Sequence, residues 1–226
     1  MSKYKTKKII FWFSTLLISS LLFYFLAYKR GYLPPPHQLA ELFNLNNSSP
    51  QKLKHPALAN NDLLNYEQSL NELINQPLDK SATSILIEKS KYRLTIYYQQ
   101  TPLKAYPVVF GPNPQGDKLK EGDMKTPEGM YSIRDLYPHP NWSKFLWLDY
   151  PNADSWGEHW QAKREGKINP LATIGGQIGI HGVPPGQDNL IEEGDNWTWG
   201  CISLMNADVE EIYQVVKVGT KVEIRL

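Results

Sequence analysis

The chain has 226 residues, enough for one well-packed domain and an anchor but too few for two large domains. Its net charge of +1 hides an asymmetry, because residues 1–30 carry six basic residues and no acidic ones. The remaining 18 basic and 23 acidic residues make 31–226 mildly acidic, which gives no electrostatic basis for binding nucleic acid.

The first predicted element, within residues 1–30, is a membrane-spanning helix. Ile9–Tyr28 is a run of 20 uncharged residues, and at about 1.5 Å per residue it covers roughly 30 Å, the thickness of a bilayer's hydrocarbon core. Four lysines precede the run and only Lys29 and Arg30 follow it, so the positive-inside rule places the rest of the chain outside the cytoplasm. A cleaved signal peptide is the alternative, but the run is long and no small-residue cleavage site follows Ala27. We expect a single-pass protein of the inner (cytoplasmic) membrane with a periplasmic or other extracytoplasmic domain.

Residues 31–81 are predicted to form a stalk that contains one short helix. Proline-rich and Asn/Ser-rich stretches at 34–36, 46–50 and 55–56 are typical of a linker that lifts a domain off the membrane. Apolar residues then recur at helical spacing and predict a short amphipathic helix over about 61–75. This helix is expected to pack on the main domain or on a partner.

Residues 82–226 are predicted to form one mainly-β domain with one or two helices. Alternation over 92–98 indicates a half-buried strand, and after a turn the chain returns as a second strand over 103–110. Residues 111–123 read as a loop, and a further strand begins at Gly129.

The end of the chain is predicted to be a helix followed by a strand. Apolar residues between 209 and 216 mark one helical face, for which Asn206 is a plausible N-cap. Beyond Gly219, alternation over 222–226 indicates the last strand.

Cys201 is the single cysteine and has no partner for an intrachain disulfide. An exported lone thiol is either a buried core residue or a reactive nucleophile, and composition leaves the two equally favoured. One cysteine and five scattered histidines show no metal-ligand spacing, so neither a metal nor another cofactor is predicted.

Two short segments are predicted to place reactive side chains on the face away from the core. If Ile178 and Ile180 face the core, period-two alternation turns His181 to the opposite face. In the segment 197–204, Ile202 and Leu204 would face the core, so Cys201 and Ser203 would point away from it. An imidazole next to the thiol would take its proton and give a thiolate–imidazolium pair with a depressed cysteine pKa. A hydrogen-bonded structural histidine is the alternative. Gly200 leaves room for backbone N–H groups to face an oxyanion.

Three blocks, in order, resemble the L,D-transpeptidase catalytic domain (the YkuD domain) of bacterial peptidoglycan enzymes. They are GDMKTPEGMY at 122–131, Ile180-His181-Gly182, and Thr198-Trp199-Gly200-Cys201-Ile202. The resemblance covers about 82–226 and implies a β-sandwich-like fold. It also implies acyl transfer through a thioester, with a peptidoglycan stem peptide as donor and an amine as acceptor. The bond attacked would join the L-centre of meso-diaminopimelate to the terminal D-alanine.

By position, the resemblance makes Cys201 the nucleophile and His181 its base. Oxyanion-stabilising or substrate-binding roles are expected for five further residues: Gly182, Thr198, Trp199, Gly200 and Ser203. Many members carry His in place of Trp199 and Arg or Asn in place of Ser203, so the fate of the thioester stays open. The alternatives are a hydrolase of the same fold (an L,D-carboxypeptidase, or an amidase that releases wall-linked protein) and a non-catalytic wall-binding module. The loop 183–197 is either a lid or a solvated loop.

Overall fold

The computed structural model describes residues 2–44, 55, 63–74 and 77–226. Its first element is a long N-terminal helix whose segment Phe11–Lys29 has a mean hydropathy of 1.7 and exposes its apolar side chains. The segment is therefore long and apolar enough to cross a membrane, as predicted. The helices are α1 Ser2–Lys29, α2 Pro36–Asn44, α3 Leu70–Leu73, α4 Ala153–Arg164, α5 Asn189–Glu192 and α6 Asn206–Val215.

Eight strands form one mixed sheet, in the order β3-β2-β1-β8-β4-β5-β6-β7. The strands are β1 Thr83–Glu88, β2 Arg93–Tyr98, β3 Thr101–Pro107, β4 Gly129–His139, β5 Ser143–Leu148, β6 Gly179–His181, β7 Ile202–Ser203 and β8 Lys221–Arg225. Most neighbours are antiparallel, but β1 pairs with β8 and β6 with β7 in parallel. The mainly-β class predicted from the sequence is confirmed.

The sheet curls until its two ends meet. The long strand β4 pairs with β8 through its first half and with β5 through its second half, so it belongs to both sides of the curl. Just beyond β3, Val109 exchanges backbone hydrogen bonds of 3.0 and 2.9 Å with Ser203 of β7. The closure brings the segment that follows β3 beside the segment that carries Cys201.

The strand over 92–98 is buried on both faces, so the prediction of a half-buried strand is wrong. Its polar positions are buried together with their partners: Arg93 is 0% exposed and donates to the carboxylate of Glu88 at 2.6 Å. A buried guanidinium is tolerated because the ion pair and its hydrogen bonds compensate its lost hydration. Period-two alternation shows only that polar and apolar residues lie on opposite faces of a strand. In this strand the polar face is also covered by protein, so it is not exposed to solvent.

Asn206 is the first residue of α6 rather than its N-cap, which is Met205 and makes no side-chain capping bond. The carboxylate of Asp188, from a different segment, accepts a hydrogen bond from the Asn206 N–H at 3.2 Å. A negative charge at a helix N-terminus is favourable, so a distant residue replaces the local cap.

The helix predicted over 61–75 is shorter than expected. Within the described residues it is the single turn α3, which begins after the N-cap Ser69 in a capping box with Glu72. Leu70 is fully buried in the main core and its N–H donates to Glu211 of α6 at 2.5 Å. The helix therefore packs on the main domain. Residues 61, 62 and 75 lie outside the described residues.

The first part of the predicted stalk lies against the domain. Pro34 is buried, α2 packs on α4, and Leu42 contacts the main core. The linker residues 46–50 and Pro56 lie outside the described residues. Residues 31–44 therefore do not form the extended linker that their proline content indicated.

Candidate active site

His181 ends β6, the short strand between β5 and β7, and its ring is held among aromatic side chains. It lies parallel to Phe145, with 5.7 Å between ring centroids, and is stacked on Trp142 at 4.5 Å. Trp197 contacts it edge-on at 5.6 Å. Only 2% of His181 is exposed, so its orientation is set by packing on several sides.

The protonation of His181 follows from its one fixed hydrogen bond. Its Nδ1 lies 2.7 Å from the carbonyl oxygen of Gly182. A carbonyl oxygen only accepts, so in the neutral ring Nδ1 carries the proton and Nε2 keeps the lone pair. Gly182 suits this position because a Cβ there would press on Asn206 Oδ1 and lie 2.8 Å from the Trp142 carbonyl oxygen. His181 is thereby prepared to accept a proton at Nε2.

Cys201 directly precedes β7 and is partly buried. Its thiol donates to the carbonyl oxygen of Gln177, with 3.5 Å between Sγ and O, and the Gly179 N–H donates to the sulfur. No hydrogen bond joins the thiol to His181 within the described parts of the chain. Both bonds to the thiol involve the backbone at the start of β6, from residues 177 and 179.

Thr198 clamps the backbone around the thiol. Its Oγ1 donates to the carbonyl oxygen of Cys201 at 2.8 Å and accepts from the Gly200 N–H at 3.2 Å. The Gly200 N–H is thus bonded within the loop, and its expected oxyanion role stays a prediction. The Cys201 N–H, by contrast, has no partner among the described residues and remains available for that role.

Gly200 meets a conformational need of this loop. Its φ is +122°, a region that residues with a Cβ rarely adopt, and a Cβ there would collide with the carbonyl oxygen of Lys125. The segment that contains Lys125 belongs to the first motif block, so the close approach joins two of the three blocks in space.

Burial shifts both reactive groups toward their neutral forms. It raises the pKa of Cys201 to about 11, against the opposing effects of the Gly179 N–H and the charge of Lys118. Burial also lowers the pKa of His181 to about 4, against the bond to Gly182. The expected resting ion pair with a depressed cysteine pKa is therefore wrong: thiol and imidazole are both neutral at pH 7.

Cys201 and His181 line one cavity of about 840 Å³. Thr198 and Trp199 also line it, and Trp199 is 80% exposed at its rim. The other predicted site residues, Gly182, Gly200 and Ser203, are not among the lining residues. Ser203 is completely buried, and its hydroxyl donates to the Gly182 carbonyl oxygen at 3.4 Å, so its expected direct role in binding substrate is not supported.

Sequence reasoning missed several residues of the cavity wall. Lys118 is 6% exposed and pairs with Asp123, which also accepts from three backbone N–H groups and so fixes this loop. Phe145 is brought to His181 by the pairing of β5 with β6, and Trp142 by the 3.0 Å hydrogen bond from the Gly182 N–H to its carbonyl oxygen. Neither contact was indicated by the sequence. No cluster of three or more His, Cys, Asp or Glu able to hold a metal occurs in the part of the chain that the structure describes.

The loop 183–197 is packed through a small apolar cluster of its own. Val183 and Ile191 are buried with Val109, and Trp197 packs against them. Its middle forms the single-turn helix α5. Val183 and Ile191 tie both halves of the loop to the body of the domain.

Residues 82–224 match the family model of the L,D-transpeptidase catalytic domain, YkuD. The chain therefore belongs to this family, and the identification made from its motifs is confirmed. It is 26% identical over 147 residues to the putative L,D-transpeptidase YafK of Escherichia coli (strain K12), an alignment that covers 62% of this chain and 50% of that protein. The chain thus spans about half the length of the curated relatives it matches.

Three solved structures with TM-scores below 0.5 are also similar to this chain. The helical cell shape determining protein Pgp2 of Campylobacter jejuni is 28% identical with a TM-score of 0.48, covering 64% of this chain and 47% of that one. Bd1075 of Bdellovibrio bacteriovorus is 22% identical with a TM-score of 0.44, covering 64% and 48%. L,D-transpeptidase 3 of Mycobacterium tuberculosis is 14% identical with a TM-score of 0.42, covering 64% and 60%.

Proposed function

We propose that the chain is a cysteine-dependent L,D-transpeptidase that acts on peptidoglycan stem peptides through an acyl-thioenzyme. The observation that carries this proposal is that Cys201 and His181 line one cavity, with the tautomer of His181 fixed by Gly182 so that Nε2 can accept a proton. The family to which the chain belongs supplies the substrate class.

Acylation begins from the neutral pair. As the Cys201 Sγ attacks the carbonyl carbon of the bond before the terminal D-alanine, His181 Nε2 takes the thiol proton. The oxyanion that forms accepts a hydrogen bond from the Cys201 N–H. The imidazolium then returns its proton to the D-alanine nitrogen, the C–N bond breaks, and a thioester remains.

An amine acceptor resolves the thioester. His181 takes a proton from the attacking amine, the new amide forms, and the thiol leaves with the proton restored. Water in place of the amine would give hydrolysis, which is the same-fold alternative. Ser203 does not decide between the two acceptors, because it is fully buried and touches the base only through the Gly182 carbonyl oxygen.

The N-terminal helix supports a membrane-anchored location. The segment Phe11–Lys29 has the length and hydropathy of a single span, and the lysines before it favour a cytoplasmic N-terminus. The catalytic domain would then face the wall from the outer side of the inner membrane. A protease-protection assay on intact and permeabilised spheroplasts tests this, because a cytoplasmic domain would be digested only after permeabilisation.

The activity is tested with full-length protein in detergent and a purified disaccharide-tetrapeptide, with products identified by mass spectrometry. We expect loss of the terminal D-alanine together with a cross-linked dimer, and neither product from Cys201→Ala. If tripeptide forms without dimer, the protein is a hydrolase and not a transpeptidase. If the folded wild-type protein gives neither product while binding wall material, the chain is a non-catalytic binding module.

A further inference from the structure

The segment that follows the membrane helix is docked on the catalytic domain. The Ile174 N–H donates to the carbonyl oxygen of Gly31 at 3.2 Å, and the Gln38 side-chain amide donates to that of Pro151 at 3.0 Å. Within the segment, the Tyr24 hydroxyl donates to the carbonyl oxygen of Pro34 at 2.6 Å. The segment after α1 is therefore bonded to the two loop residues Pro151 and Ile174 of the domain.

A second cavity of about 1010 Å³ lies between this segment and the domain. It adjoins the catalytic cavity, since five residues line both: Glu121, Trp147, Gly175, Gly176 and Gln177. One of them, Gln177, supplies the carbonyl that accepts the Cys201 thiol. A substrate that extends past this wall from Cys201 would enter the second cavity.

The charges around the second cavity favour an anionic ligand. Lys29, Arg30 and Arg134 line it, and none of the three forms an ion pair with a carboxylate in the part of the chain that the structure describes. Its two acidic residues are already bonded internally: Glu121 accepts from the Thr173 hydroxyl and Asp149 from the Ser132 N–H. Arg134 still interacts with Asp149 through its charge, but with three cations and two carboxylates the lining is positive overall.

Three lining residues also carry buried polar atoms without a hydrogen-bond partner. They are the indole N–H groups of Trp147 and Trp156 and the side-chain oxygen of Gln38. The Arg134 guanidinium lies 4.1 Å above the Trp147 ring, so this cation lies against a residue that lines both cavities. All three polar atoms are closed to solvent, so a ligand in the cavity would reach them only after a side chain moves.

We propose that this cavity is a second substrate site that binds a free carboxylate on the part of the stem peptide remote from the bond attacked by Cys201. The proposal rests on the proposed function for the identity of the peptide. Its physical basis is the wall shared with the catalytic cavity and three lining cations that form no salt bridge among the described residues. The phosphate of a membrane lipid has similar chemistry, but the wall shared with the Cys201 cavity favours a ligand that reaches both.

Binding is measured by isothermal titration calorimetry with full-length Cys201→Ala protein in phosphatidylcholine nanodiscs. The probe is the L-Ala-γ-D-Glu-meso-diaminopimelate-D-Ala tetrapeptide, compared with a form whose side-chain carboxylates are amidated. Arg30→Gln and Arg134→Gln remove two cations of the cavity. Arg164→Gln, at the exposed end of α4 outside the cavity, is the matched control.

We expect the Kd of the tetrapeptide to rise about three- to tenfold in each cavity variant and not in Arg164→Gln, as for a partly exposed ion pair. The amidated peptide should bind all variants equally. Equal Kd values for the cavity variants and Arg164→Gln would overturn the proposal. So would unchanged peptide binding with reduced binding of phosphatidylglycerol vesicles, which would assign the site to lipid. Product formation by the wild-type protein is measured separately. If the peptide binds with this charge dependence but no product forms, the binding site is supported and the proposed reaction is not.

Discussion

His181 and Ser203 bind the same acceptor, the carbonyl oxygen of Gly182, at 2.7 Å from Nδ1 and 3.4 Å from Oγ. The two residues are also register partners across β6 and β7. The carbonyl fixes the tautomer of the base, and the buried hydroxyl helps to fix the carbonyl. We therefore expect position 203 to act on the chemistry through the base rather than by touching substrate.

Replacing Ser203 with alanine should lower kcat about two- to tenfold and leave KM within about twofold, because one weak bond to a positioning carbonyl is lost. Steady-state assays of D-alanine release measure both constants. The thermal unfolding midpoint should fall only slightly, since the alanine methyl fits the same space. A large rise in KM with unchanged kcat would instead mean that Ser203 contacts substrate.

Alkylation of Cys201 should be slow at pH 7 and rise about tenfold for each pH unit up to pH 10. The sign follows from the raised pKa of about 11: only the thiolate reacts, and its fraction grows with pH until the pKa is reached. Iodoacetamide labelling followed by mass spectrometry measures the rate. His181→Gln should shift the profile little, because the resting imidazole is neutral. A plateau below pH 8 that His181→Gln abolishes would show a thiolate–imidazolium pair.

The sequence was sufficient to identify the family and to predict which isoleucines face the core in the segments that contain His181 and Cys201. Ile180 and Ile202 are register partners and both are in the core, as alternation required. The sequence did not predict the protonation states of Cys201 and His181, because their pKa values depend on burial by residues distant in the chain. It also missed α4, whose buried Trp156 and His159 give no clear apolar stripe.

The two hydrogen bonds of the Thr198 hydroxyl are expected to hold the loop that carries Cys201 in place. Thr198→Val keeps the shape but loses both hydrogen bonds of Oγ1, leaving the Gly200 N–H and the Cys201 carbonyl without partners. We expect kcat/KM to fall about 10- to 100-fold and the free energy of unfolding to fall by about 1–3 kcal/mol. Thr198→Ser retains the hydroxyl and should keep most of the activity. Equal losses in both variants would contradict a hydrogen-bonding role.

Gly200→Ala should inactivate the enzyme and destabilise the domain. The alanine Cβ would meet the Lys125 carbonyl oxygen at a φ of +122°, so either the loop or the first motif block must move. Gly186→Ala is the matched control, because Gly186 also has a positive φ of +76° but nothing within 4 Å of a Cβ. Thermal unfolding and D-alanine release distinguish the two: strain alone affects both similarly, whereas the close contact affects only Gly200→Ala severely.

Substitution of Trp199 tests whether the side chain at the rim of the catalytic cavity contacts the substrate. With 80% of the side chain exposed, folding gains little from it, so Trp199→Ala should leave the unfolding midpoint nearly unchanged. If the ring covers bound substrate, its loss should raise KM about three- to tenfold with kcat within about twofold. Leu171→Ala is the control, since Leu171 is 78% exposed and does not line the cavity. A Trp199→Ala enzyme with wild-type KM would remove this ring from the substrate-binding surface and leave recognition to the buried aromatic wall around His181.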